Sequence, residues 1–107
     1  MREKLKAYID EKGIFSGIVC KYGAIHENNK PTLLLMDIMD YKGYSVFDHV
    51  WIEVTKPVER AFLMFGAKIK FIAVIIPYEK KHGWNYGFAC VNNIKKIGKV
   101  QQLPAVA

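Results

Sequence analysis

The chain has 107 residues, 51% apolar and 24% charged, with 16 Lys and Arg against 10 Asp and Glu for a net charge of +6. That length is one domain, and that composition supports a buried core and excludes a disordered chain. Residues 71–76, the longest apolar run, fall far short of the ~18 residues that span a bilayer, and the charged start Met1-Arg2-Glu3-Lys4-Leu5-Lys6 is no secretory signal, so a cytoplasmic protein with no membrane partner is expected.

Residues 2–12 read as a short amphipathic helix, with Leu5, Tyr8 and Ile9 on one face and Gly13 as its stop. Residues 14–25 form a first strand centred on Ile18 and Val19, in which Gly17 and Gly23 mark a bend or bulge. A polar loop follows over 26–31, closed by Pro31. Residues 32–40, rich in Leu, Ile and Met, are the second strand, and Tyr41-Lys42-Gly43-Tyr44-Ser45 suits a hairpin connection. The third strand, 46–54, alternates clearly. Val46, Asp48, Val50, Ile52 and Val54 share one face, and Phe47, His49, Trp51 and Glu53 share the other.

Pro57 and Glu59 open a short helix over 57–65 that Gly66 stops, with an apolar stripe of Val58, Ala61, Phe62 and Phe65. A strand over 61–65 is the alternative. Residues 67–78 form the fourth strand, and its long apolar middle predicts burial on both sides. A hairpin tip over 79–85 leads to the fifth strand, 86–91, and a basic extension, 92–100. The domain therefore spans 1–100, and 101–107 is a frayed tail.

A helix, three strands, a short helix and two strands make a mainly β chain. They are the ingredients of a five-stranded, partly open Greek-key barrel of the OB type. Val50, Ile52, Ile69, Phe71 and Ile75 are its expected interior, with Asp48 at the mouth. An SH3-like barrel is the alternative; it fits less well because a helical turn, not a hairpin, joins its last two strands. A ferredoxin-like fold needs two long helices where this chain offers two short ones.

The stretch Gly66-Ala67-Lys68-Ile69-Lys70-Phe71-Ile72-Ala73-Val74 resembles the start of the fourth strand in nucleic-acid-binding OB domains, where a glycine opens alternating β-branched and small residues. Ala67 departs from that pattern, which is often acidic there. The resemblance implies a ligand lying across strands two and three, between the loops at 26–31 and 79–85. The second loop offers Lys80, Lys81, His82 and Trp84, followed by Tyr86. Cations beside aromatic rings suit a single strand, which needs phosphate neutralisation and flat faces for its bases. Two roles fit Trp84: a stacking ring at the tip, or a lid folded over one end of the barrel. Phe47, His49 and Trp51, extended by Tyr41, Lys42 and Tyr44, form a second candidate surface. The competing reading places Phe47 and Trp51 inward or under the first helix.

Charge placement agrees. Residues 1–67 hold nine basic and nine acidic side chains; beyond them Lys68, Lys70, Lys80, Lys81, Lys95, Lys96 and Lys99 are opposed by Glu79 alone. One-sided charge fits a polyanion partner, or a solvated basic face. Catalysis lacks its residues. Asp48 and His49 are adjacent and point to opposite faces of a strand, Asp37 and Asp40 differ in phase, and no phosphate-loop or nucleophile-elbow pattern occurs. Cys20 and Cys90 are expected as buried reduced thiols, and His26, His49 and His82 are too dispersed for a local zinc site, so no metal or cofactor is expected. The expected function is non-enzymatic binding of single-stranded DNA or RNA with low sequence specificity. The alternative is a protein-interaction module, an adaptor or inhibitor, acting on nucleic-acid-processing machinery through the same aromatics and lysines.

Overall fold

A computed structural model describes residues 11–23, 31–80 and 83–100, with the backbone alone for 78–80 and 83–85. Five strands form one antiparallel sheet: β1 (Lys12–Gly23), β2 (Thr32–Asp40), β3 (Ser45–Glu53), β4 (Ala67–Lys80) and β5 (Gly83–Lys99), in the spatial order β3-β2-β1-β4-β5. One helix, α1 (Lys56–Arg60), lies between β3 and β4 and packs against β5. No helix among the described residues is long and apolar enough to cross a membrane.

The expected register of the third strand holds. Val46, Val50 and Ile52 are buried, Asp48 is exposed, and Trp51 points outward. Ile69, Phe71 and Ile75 are fully buried as well. Four rings tie the sheet together: Phe15 lies 4.9 Å from Phe88, Phe71 lies 5.3 Å from Phe88, and Phe47 meets Phe88 edge-on at 5.4 Å. The last contact brings β3 to β5, the two edges of the sheet. The sheet therefore curls around its larger core cluster, although no ladder among the described residues joins those edges.

Three expectations are corrected. The helix ends at Arg60, not at residue 65, because Phe62 takes a left-handed backbone (φ 49) and reverses the chain, the role glycine usually fills after a helix. Val58 and Leu63 are buried there, whereas Phe62 and Phe65 face solvent. The basic extension is no appendage: β5 runs unbroken to Lys99, and its residues 95–99 pair with the first residues of β4. Cys90 is exposed, not buried, because an extra residue in β5 between the partners of Ile72 and Val74 turns it outward at φ 56. Both cysteines are free thiols, and Cys20 is buried.

Gly66 is needed where it stands. Its φ is 85, its N–H donates to the Val19 carbonyl and its carbonyl accepts from Val100 N–H, both at 2.8 Å. A Cβ there would sit 3.2 Å from the Val100 oxygen. The residue thus clips β4 to β1 and to the end of β5. The expected helix over 2–12 lies outside the described residues except its last two positions, and Lys12 belongs to β1. The tail 101–107 and residues 26–30 of the first loop also lie outside them.

Candidate nucleic-acid interface

On β4, alternation sends Ala67, Ile69, Phe71, Ala73 and Ile75 into the core and leaves Lys68 and Lys70 on the outer face, both exposed. Residues two apart on a strand stand roughly 6.6 Å apart on one face. β5 adds Lys95 to this row as the register partner of Lys70; Lys96 and Lys99 are exposed too, but pair with the inward-facing Ile69 and Ala67 and so belong to the opposite face of the edge strand. Like charges placed directly opposite each other on neighbouring strands destabilise the pair. Among the described residues neither Lys70 nor Lys95 makes an ion pair that would offset this.

The aromatic candidates separate into groups. Trp51 is 41% exposed, opposite Leu34, with the Lys21 ammonium 6.0 Å from its ring centroid. Its indole lies over Gly23, where any side chain would collide with the ring and with Thr32 Oγ1. His49 is exposed opposite Met36. Tyr41 and Tyr44 are exposed in the β2–β3 turn, and the Lys42 ammonium lies 5.5 Å from the Tyr41 ring centroid. That turn is braced by Asp40, whose buried carboxylate accepts from the N–H groups of Lys42 and Tyr44, both at 2.9 Å. Trp51 lies six residue steps along the strand from Ser45, roughly 20 Å, so the turn tyrosines and Trp51 do not form one platform. Phe47 and Tyr86 are half-buried and pack against the core.

The hairpin tip is placed by its backbone. Glu79 pairs with Trp84 and Lys80 with Gly83, and Lys81 and His82 lie outside the described residues. Because Lys12 pairs with Val74 and Phe15 with Asp40, this tip and the Tyr41–Lys42–Tyr44 turn lie at the same end of the sheet.

A further surface escaped the sequence reading. Tyr22 is 6.1 Å from Phe65 by ring centroids, and Phe62, Met64 and Phe65 are all exposed beside it. An apolar stripe at helical spacing concealed them, because it assigned Phe62 and Phe65 to the core. Lys21 and Asn93 were missed for a different reason: the extra residues that set their direction leave no mark in the alternation. No protein-family model matches the chain, and neither a curated protein nor a solved structure matches it.

Proposed function

We propose that the chain is a non-enzymatic binder of single-stranded nucleic acid, built on an OB-like barrel that stays partly open between β3 and β5. The strand order, the helix between β3 and β4, and the Phe47–Phe88 contact across the two edges support that architecture. The hairpin joining β4 to β5 favours it over an SH3-like barrel. Lysines 68, 70 and 95 neutralise phosphate, and Trp51, Tyr41 and Tyr44 offer exposed rings on which bases stack. A cytoplasmic setting fits two free thiols.

One observation carries the proposal: the cross-strand pair Lys70–Lys95 next to Lys68. Concentrated like charge is a cost to the isolated fold, and it becomes an asset when a polyanion lies along it. A filter-binding titration at low salt with single-stranded DNA, single-stranded RNA and duplex tests it. Saturable binding of single strands in preference to duplex is expected; absence of binding to any of the three refutes the proposal.

A second reading has its own observation. Phe62 is 78% exposed on a left-handed backbone, beside exposed Met64 and Phe65. A bulky residue held in that conformation is strained and rare outside functional sites. The loop suits a protein partner, as an adaptor or inhibitor of nucleic-acid machinery would require. Phe62→Ser with Phe65→Ser separates the readings: it abolishes a protein contact and leaves oligonucleotide affinity unchanged.

A further inference from the structure

The outer face where β1, β4 and β5 meet is not flat. An open groove of about 350 Å³ runs there, lined by Ile14, Lys70, Phe71, Ile72, Asn93 and Lys95. Its origin is a single irregularity. Lys70 pairs with Lys95 and Ile72 with Asn92, so β5 carries one residue more than β4 over this interval. Asn93 takes up the excess at φ 50, a conformation that asparagine tolerates better than most residues. The bulge bends β5 and turns Lys95 to the same side as Lys70.

Three chemistries converge. Two ammonium groups flank the groove, Ile14 and Ile72 are register partners that give it an apolar floor, and the Asn93 amide stands at its wall. The neighbouring Asn92 donates from its amide nitrogen to the Cys90 carbonyl at 2.6 Å, whereas the Asn93 amide makes no hydrogen bond among the described residues. An apolar floor has nothing to offer a bare phosphate, and two lysines have nothing to offer a neutral ligand. A nucleotide meets both demands, and the volume lies at the small end of the range typical of ligand sites.

We propose that this groove holds one nucleotide of a bound single strand, phosphate and base together, without selecting among the bases. The inference rests on the nucleic-acid reading above. The phosphate lies between Lys70 and Lys95, the base rests on Ile14 and Ile72, and the Asn93 amide pairs with the base edge. An amide presents one acceptor and one donor side by side, and the free edge of every base in a single strand offers the complement.

The test is fluorescence anisotropy of the full chain with labelled oligo(dA), oligo(dC), oligo(dT) and an abasic strand of the same length at one low salt concentration. It is repeated with Asn93→Gly, which accepts the same left-handed backbone and keeps the bulge, and with Lys70→Ala combined with Lys95→Ala. The wild type binds the three base-bearing strands alike, and each about fivefold or more tighter than the abasic strand. Asn93→Gly weakens the base-bearing strands toward the abasic one, and the double lysine variant weakens all four alike. Equal binding of abasic and base-bearing strands by the wild type, or a gap unchanged in Asn93→Gly, overturns the groove assignment and leaves the general reading standing. Failure of the wild type to bind any of them overturns both.

Discussion

β2 and β4 flank the same central strand, and their inner faces are alike: Leu33, Leu35 and Ile38 on one, Ile69, Phe71 and Ile75 on the other, all fully buried. Their outer faces differ. On β2 the outward residues Leu34 and Met36 are buried too and form, with Cys20, a second apolar cluster. On β4 the outward positions begin with the exposed Lys68 and Lys70, and continue with half-buried Ile72, Val74 and Ile76. One sheet thus carries a dry flank and a basic flank. The β2 flank is buried on both faces, whereas the β4 flank keeps an exposed, charged outer face. Each of the two strands takes part in three register shifts, but those of β2 lie mainly in its ladder with β1, whereas all three of β4 lie in its ladder with β5.

Exchanging the character of the two outer faces has the largest expected effect. Leu34→Lys places an unpaired charge at a fully buried position, and should cost about 3–5 kcal/mol of stability. Urea denaturation checks it, and a loss below about 1 kcal/mol would mean that the β2 flank is not sealed. A smaller effect is expected at the edge of the β2 flank, where β1 meets Thr32 and Trp51. Gly23→Ala forces the Trp51 ring off its seat, and overpacking of this kind costs roughly 1–3 kcal/mol. The same variant should shift the Trp51 emission, read against a Trp51→Phe control that isolates Trp84. The smallest effect on stability belongs to the reciprocal exchange. Lys70→Leu, on the exposed flank, should change stability by no more than about 0.5 kcal/mol, while lowering affinity for single strands of every sequence.

Much of this was legible in the sequence. The third strand's alternation placed Val50, Ile52 and Trp51 on their observed faces, and 32–40 matches β2 residue for residue. The double burial, however, was assigned to the wrong strand. Phe71-Ile72-Ala73-Val74-Ile75-Ile76 is the longer apolar run, yet Leu33-Leu34-Leu35-Met36 is the stretch buried on both sides. Run length reports apolarity but not what lies opposite, and burial of an outer face depends on neighbours remote in sequence. Bulges are harder still. Asp37, Cys90 and Asn93 have left-handed backbones within strands, and nothing in their local pattern distinguishes them from ordinary strand residues. The lysine row was recognisable as composition; its alignment across β4 and β5 depends on those extra residues.

The most direct test of the basic flank is the salt dependence of single-strand binding, measured for the wild type and for Lys70→Ala combined with Lys95→Ala. Each phosphate neutralised contributes about −0.7 to the slope of log affinity against log salt. With one phosphate held between the two ammonium groups, the double variant's slope is shallower by about 0.7. An identical slope in the two proteins would contradict the account, because the lysines that define the flank would then carry none of the binding.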